Sequence, residues 1–144
     1  MRELEYDEPR FRASKGAFFM TAGKDLSGAR VLVLEDEVLV SMMIEDMLEE
    51  LGCVVVGPFA RVADALARIS TGEGGIDLAI LDVNVAGTRS YPAAEALART
   101  ETPFVFSTGY DEGGMPAEWR GRPQLRKPFM LGELERVLTA ALAG

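Results

Sequence analysis

The chain has 144 residues, of which 48% are hydrophobic, and it carries a formal net charge of −8. This length predicts one domain, and the hydrophobic content allows a sizeable core and excludes wholesale disorder. The acidic balance argues against sequence-independent binding to nucleic acid and against binding to a membrane surface. With no histidine and one cysteine, the chain lacks His-dependent catalysis, His-ligated metal sites and an internal disulfide, so the cytoplasm is the expected compartment.

Residues 1–27 differ from the rest of the chain. They mix acidic, basic and aromatic residues and show no sustained hydrophobic period. Such a segment is typical of a poorly ordered terminus. We therefore expect a flexible N-terminal tail over 1–27 and one folded domain over 28–144.

From residue 30 onward, short apolar runs alternate with segments of helical spacing. The predicted strands are 31–34, 53–56, 78–81, 104–106 and 124–126. The predicted helices are 40–51, 62–69, 92–99 and 131–142. Such alternation indicates parallel strands joined by right-handed crossovers, and five units make a doubly wound (βα)5 sandwich of the α/β class.

Some details of the chain need separate mention. Between the fourth and fifth strands only 117–120 fits a helical turn, so we expect the fourth helix to be short or irregular. We expect Gly57-Pro58 to end the second strand, and a loop to follow the third strand through Gly87. The stripe of Met42, Met43 and Met47 is interpreted as core, as is Cys53.

Polar side chains follow four of the five predicted strands. They are Glu35 and Asp36 after the first, Asp82 and Asn84 after the third, Ser107 and Thr108 after the fourth, and Lys127 after the fifth. Because the carboxyl ends of parallel strands form the ligand-binding rim of an open α/β sheet, we expect these side chains to meet there. Taken singly, Asp36 could be a helix cap and Lys127 could simply reach into water.

Taken together, the same residues suit a phosphoryl transfer. Three carboxylates in one crevice repel each other, and Mg²⁺, which prefers oxygen ligands, would relieve that repulsion. An aspartate beside Mg²⁺ can attack phosphorus as a nucleophile. Lys127 and the metal would then neutralise phosphoryl oxygens, and the Thr108 hydroxyl would donate a hydrogen bond to another.

Over residues 30–142 the chain resembles the receiver domains of two-component response regulators, relatives of the bacterial chemotaxis response regulator. Four motifs carry the resemblance: Val-Leu-Val-Leu-Glu35-Asp36-Glu37, Leu81-Asp82-Val83-Asn84, Ser107-Thr108-Gly109 and Arg126-Lys127-Pro128-Phe129. The resemblance implies a flavodoxin-like sheet of strand order 2-1-3-4-5. It also implies that the Lys127-Pro128 peptide bond is cis.

The resemblance further implies the roles of the site residues. Asp82 would accept a phosphoryl group from the phosphohistidine of a sensor histidine kinase or a histidine phosphotransfer protein. Asp36, Asp82 and Asn84 would bind Mg²⁺, for which Mn²⁺ or Ca²⁺ can substitute, and Glu35 would act mainly through water. Thr108 and Lys127 would contact the phosphoryl group.

Two positions bear on the subclass. Gln124 stands where the family usually has Tyr or Phe, which affects the aromatic switch coupled to the threonine. The segment Phe106-Ser107-Thr108-Gly109-Tyr110 resembles a subclass with a Phe-Ala-Thr-Gly-hydrophobic turn and a degenerate fourth helix, whose members often stand alone. We therefore expect a single-domain response regulator that signals through contacts with a protein target or as a homodimer, with neither DNA nor membrane as a partner.

Two other functions remain open from the sequence. A phosphohydrolase could use Asp82 as its nucleophile, but Asn84 stands where such enzymes want a second aspartate, and we expect slow autodephosphorylation without turnover of a separate substrate. A receiver-like docking module would bind a partner without being phosphorylated, and the full set of site residues argues against it.

Overall fold

A computed structural model describes residues 25–109 and 115–144. The secondary-structure elements are β1 (Arg30–Leu34), α1 (Val38–Glu50), β2 (Val54–Phe59), α2 (Val62–Thr71), β3 (Leu78–Asp82), β4 (Asn84–Val85), β5 (Thr88–Arg89), α3 (Tyr91–Arg99), β6 (Phe104–Thr108), β7 (Gln124–Arg126) and α4 (Leu131–Ala143). Five strands form one parallel sheet in the order β2-β1-β3-β6-β7. Counted without the separate β4–β5 hairpin, this is the order 2-1-3-4-5, which confirms the predicted flavodoxin-like doubly wound fold.

The core lies in two layers, one on each face of the sheet. Side chains of successive strand residues point to opposite faces, so each buried strand contributes to both layers. The α1/α4 face is the layer packed by α1 and α4, through residues such as Ile44, Leu48 and Leu138. The α2/α3 face is the layer packed by α2 and α3, through residues such as Ala65, Ala94 and Leu97.

The second strand does not end at Gly57-Pro58, as the sequence predicts, but continues to Phe59. The pairing with β1 shifts between Leu32, opposite Val56, and Leu34, opposite Phe59, so that β2 holds one extra residue. The bulge absorbs the Gly-Pro pair, and Gly57 adopts a φ of 102°, where a Cβ would lie 2.8 Å from the Phe59 ring. The backbone amide of Glu35 donates to the Phe59 carbonyl at 2.9 Å, which ties the strand end to the rim.

The predicted loop after β3 contains a small hairpin, β4–β5, in which Asn84 pairs with Arg89 and Val85 with Thr88. Ala86 and Gly87 between them have φ of 51° and 84°. Positive φ at both central residues is typical of a type I′ turn, which suits the twist of a two-residue hairpin. The hairpin therefore fixes the backbone at Asn84, which follows the end of β3 at Asp82 by two residues.

The fourth crossover lacks a regular helix, as predicted. A three-residue 3-10 turn, Ala117–Trp119, takes its place. Trp119 is buried on the α2/α3 face, where its ring stacks on Tyr91 at 6.5 Å between centroids and meets the edges of Phe104 and Phe106. Aromatic packing of this kind replaces the burial that a fourth helix would provide.

Most of the predicted flexible tail, residues 1–24, lies outside the described residues. The same is true of Tyr110, the last residue of the segment that resembles the Phe-Ala-Thr-Gly-hydrophobic turn. Within the described part, the side chain of Leu26 is buried against the α1/α4 face. None of the helices in the described ranges is long and apolar enough to cross a membrane.

Cys53 is buried, as predicted, and its thiol points at the Leu26 carbonyl at 3.5 Å. Burial, aided by the charge of Asp25, raises the pKa of Cys53 to about 11. Because the thiolate is the reactive species, we expect iodoacetamide to leave the native protein unlabelled at pH 8 and to label it quickly in denaturant. Intact-mass measurement checks this, and rapid labelling of the native chain would contradict the buried placement.

Candidate functional site

Three charged side chains meet at the carboxyl end of the sheet on the α1/α4 face. Lys127 Nζ lies 3.2 Å from Glu35 Oε1 and 3.4 Å from Asp82 Oδ2. Both carboxylates are almost fully buried, and Glu35 Oε2 also accepts the backbone amide of Glu37 at 3.0 Å. The strand order places Lys127 two strands away from Asp82, so its long side chain crosses the end of β6 to reach them.

Asp36 joins this group from the loop before α1. Carboxylate oxygens of Glu35, Asp36 and Asp82 all lie within 4.8 Å of one another. Their three negative charges exceed the single positive charge of Lys127, and all the ligand atoms they offer are oxygens. Such a donor set fits a hard divalent cation such as Mg²⁺ better than a thiolate- or imidazole-seeking metal.

The ionisation of Lys127 is set by two opposing effects. Burial lowers its pKa, but the charges of Asp82 and Glu35 and their hydrogen bonds raise it by more, so the pKa of Lys127 lies above its ordinary 10.5. A lysine whose pKa is higher in the folded than in the unfolded chain stabilises the fold. That contribution is fully present at a pH below the pKa of the unfolded chain, and it is lost as the pH rises through the pKa of the folded chain. The ammonium is therefore fully charged at neutral pH.

The charged group opens into a cleft of about 540 Å³. Its lining includes three members of this group but not the buried Glu35, and adds loop and apolar residues: Asp36, Glu37, Val40, Met43, Asp82, Asn84, Ala86, Gly87, Gly109, Lys127, Pro128 and Phe129. The cleft leaves room beside Asp82 for a phosphoryl group and a metal ion. Asn84 borders it from the hairpin, and the Lys127-Pro128 bond on its far wall is cis, as the resemblance implies.

Thr108 is oriented differently from the other predicted site residues. It lies at the end of β6 and is buried, but its hydroxyl donates to the Leu125 carbonyl at 3.5 Å, and it is not part of the cleft lining. Its strand position puts the side chain on the α2/α3 face, together with Phe106. On that face the Gln124 amide reaches Met115 Sδ at 3.6 Å. A phosphoryl contact of Thr108 stays a prediction that requires its hydroxyl to turn.

The prediction that Met42 and Met43 belong to the core is wrong. Met42 is 53% exposed and Met43 borders the cleft, while Leu39 on the same side of α1 is 81% exposed. The helix buries the opposite stripe, through Ile44 and Leu48. The hint in the sequence is that the first two turns of α1 are apolar on nearly all sides, since Ser41 is the one polar residue between Val38 and Ile44, whereas the core takes just one stripe.

Comparison with known proteins places the chain among several relatives. No family model matches it. The chain is similar to SdrG from Sphingomonas melonis Fr1, with 47% sequence identity, coverage of 80% of this chain and 96% of SdrG, and a TM-score of 0.72. It is also 31% identical over 130 residues to the phyllosphere-induced regulator PhyR of Methylorubrum extorquens, covering 84% of this chain and 47% of PhyR. The chain thus spans about half the length of that curated relative.

A third protein has the same fold and a metal. It is the receiver domain of a sensor histidine kinase from Pseudomonas aeruginosa PAO1, solved with a magnesium ion coordinated in its active-site cleft. The two chains share 23% identity with a TM-score of 0.70, covering 82% of this chain and all of that one. At this identity the likeness shows the fold alone.

Proposed function

The chain belongs to the receiver family of response regulators, and on that premise we propose that it accepts a phosphoryl group on Asp82 in a Mg²⁺-dependent reaction. The observation that carries the proposal is the contact of one ammonium, Lys127 Nζ, with both Glu35 and Asp82 beside a third carboxylate, Asp36. Asp82 is the member of this group that ends the central strand and borders the cleft.

Asp82 and Lys127 have separate roles in the proposed transfer. An Asp82 carboxylate oxygen attacks the phosphorus of the donor, and the leaving group departs on the opposite side, toward the cleft mouth. Lys127 lies near enough to neutralise charge that develops on the phosphoryl oxygens. Because Asp82 and Glu35 raise its pKa, Lys127 is charged at neutral pH when the donor arrives.

Mg²⁺ would be held by Asp36 and Asp82, with Asn84 as a further oxygen ligand and Glu35 acting through water. Mn²⁺ or Ca²⁺ would serve as substitutes. When bound, the ion supplies positive charge that offsets the repulsion among the carboxylates and the incoming phosphoryl group. The cluster of three carboxylates, Glu35, Asp36 and Asp82, supports this assignment.

The proposal is tested by incubating the protein with acetyl phosphate and weighing it intact. We expect a gain of one phosphoryl group with Mg²⁺ and none after EDTA. A wild-type protein that stays unmodified with Mg²⁺ and a fresh donor would contradict the proposal. A docking module that is never phosphorylated would then be the better interpretation.

The natural phosphodonor is proposed to be the phosphohistidine of a sensor histidine kinase or a histidine phosphotransfer protein. The phosphohistidine of the donor has to enter the cleft at Asp82, so the part of the donor around that histidine must cover the cleft rim. Exposed apolar side chains lie beside that rim: Met43 lines the cleft, Leu39 and Met42 lie on the same side of α1, and Met130 follows Phe129 of the cleft lining. A helix that carries the histidine between apolar side chains would match this surface.

A charge introduced on that surface should affect phosphotransfer from the kinase and phosphorylation by acetyl phosphate differently. We expect Leu39→Glu to slow phosphotransfer from the cognate kinase by about tenfold or more, because an apolar contact is lost and a charge is buried. The rate with acetyl phosphate should stay within about twofold, since Leu39 lies outside the cleft lining. Val54→Glu, which changes an exposed valine on β2, is the matched control. Equal losses with both donors would count against a docking role.

Downstream, we propose that the phosphorylated chain acts through protein contacts, either with a target or with a second copy, and that it turns over no separate substrate. We assign this output to the α2/α3 face, because Thr108 and the packed rings of Tyr91, Phe106 and Trp119 lie there, on the opposite side of the sheet from the α1/α4 face that carries the charged group. A hydroxyl that turns from Leu125 toward Asp82 would change the packing of that face.

A further inference from the structure

Ser107 is a buried hydroxyl next to the charged group, and the proposed phosphoryl transfer gives it no role. The residue is 1% exposed. Its Oγ is buried and finds no hydrogen-bond partner among residues 25–109 and 115–144. A buried hydroxyl without a partner costs free energy of folding, so a position that retains one invites an explanation in function.

The sheet places this hydroxyl directly beside Asp82. In the pairing of β3 with β6, Ser107 is the partner of Asp82, and the Ser107 carbonyl accepts the Val83 amide at 3.3 Å. Neighbouring strands lie about 4.8 Å apart. Both side chains point to the α1/α4 face, because Ile80 and Val105, two residues earlier in each strand, pack there.

Lys127 completes the enclosure of Ser107. Its side chain starts beyond β7 and ends 3.4 Å from Asp82 on β3. The strand between them is β6, so the lysine passes over the position of Ser107. Rotation of the serine χ1 among its staggered rotamers changes the direction of the hydroxyl without moving the backbone.

We propose that Ser107 is a second hydroxyl of the phosphoryl site, which donates a hydrogen bond to the Asp82 carboxyl group as the aspartyl phosphate breaks down. This inference rests on the proposed function. In hydrolysis, water attacks phosphorus, the bond from phosphorus to the Asp82 oxygen breaks, and its electron pair stays on the carboxylate. Inorganic phosphate and a proton are the other products.

The direction of the effect follows from where charge develops. The carboxyl group is nearly neutral in the acyl phosphate and becomes an anion as it leaves, so a donor to it stabilises the transition state more than the ground state. The Ser107 hydroxyl should therefore shorten the lifetime of the aspartyl phosphate. The Thr108 hydroxyl, which belongs to the opposite face of β6, cannot take this place without leaving Leu125.

The test is the half-life of the phosphorylated protein after removal of acetyl phosphate, followed by intact mass. We expect Ser107→Ala to lengthen it about tenfold, the effect of losing a hydrogen bond to a charged group. Ser107→Cys keeps the shape of the side chain at a slightly larger size and offers only a weak donor, so it should lengthen the half-life as well. Ser90→Ala removes another buried hydroxyl that has no hydrogen-bond partner in the described part of the chain and lies away from the cleft lining, so it should leave the half-life within about twofold of wild type.

The outcomes separate this inference from the function on which it rests. A wild-type chain that takes up no phosphoryl group overturns both. A phosphorylated wild type with the same half-life as Ser107→Ala, or a longer one, overturns the role of Ser107 alone. If Ser107 only filled space, Ser107→Cys would behave like wild type. The melting temperature of Ser107→Ala should be no lower than that of wild type, because the substitution removes a buried hydroxyl that makes no hydrogen bond within the described residues.

Discussion

Asp82→Asn should abolish phosphorylation by acetyl phosphate, so that the intact mass remains that of the unmodified chain. The amide has nearly the same shape as the carboxylate but is not a nucleophile, and the Glu35–Lys127 ion pair at 3.2 Å is left in place to hold the rim. The fold should therefore persist while the reaction is lost. Mass spectrometry of the variant after incubation with acetyl phosphate and Mg²⁺ checks this.

The matched control is Asp46→Asn, which makes the same chemical change at an exposed carboxylate on α1. It should be phosphorylated to the wild-type extent. A phosphoryl group on Asp82→Asn would show that another carboxylate, such as Asp36, is the acceptor. Turnover of a phosphate ester that disappears in Asp82→Asn would instead revive the phosphohydrolase hypothesis.

Lys127→Met should have opposite effects on two measurements. Phosphorylation by acetyl phosphate is expected to slow by about a hundredfold or more, because a charge aimed at the developing phosphoryl oxygens is removed. Mg²⁺ affinity, measured by calorimetry, is expected to rise, because a positive charge 3.2 to 3.4 Å from two carboxylates no longer opposes the cation. A general disruption of the site would lower both.

The same variant should also be less stable without metal. Glu35 and Asp82 would remain buried without their ammonium partner, at a cost of about 2 kcal/mol, lower than for a fully buried pair because Lys127 is partly exposed. Saturating Mg²⁺ should raise the melting temperature of Lys127→Met by more than that of wild type. An equal shift in the two proteins would contradict the placement of Lys127 beside the metal-binding carboxylates.

Much of this arrangement could be predicted from the sequence for a simple physical reason. Buried parallel strands have continuous apolar runs, and their carboxyl ends meet at one rim, so the residues after each run are enough to bring Glu35, Asp82 and Lys127 together. The weak fourth crossover is also predictable, because its glycines and prolines leave no apolar stripe. The metal and phosphoryl roles of these residues stay predictions.

Other features depend on side-chain direction and three-dimensional packing. Successive side chains of β6 point to opposite faces of the sheet, so Thr108 points to the α2/α3 face and Ser107 to the face of Asp82. Both directions follow from the sequence once the face of Val105 is known. The bulge at Gly57 depends on the pairing with β1, and the hairpin at Ala86 on a positive φ that alanine rarely adopts. The exposure of Met42 depends on which helix stripe the sheet covers.

Borohydride reduction of the phosphorylated protein tests the central claim most directly. This reagent converts an aspartyl phosphate, but not a free carboxylate, into homoserine, which sequencing by mass spectrometry places on the chain. We predict homoserine at position 82 in wild-type protein treated with acetyl phosphate and Mg²⁺, and none in Asp82→Asn. Homoserine at Asp36 or another aspartate, or none anywhere in a chain that has gained the mass of a phosphoryl group, would contradict the account.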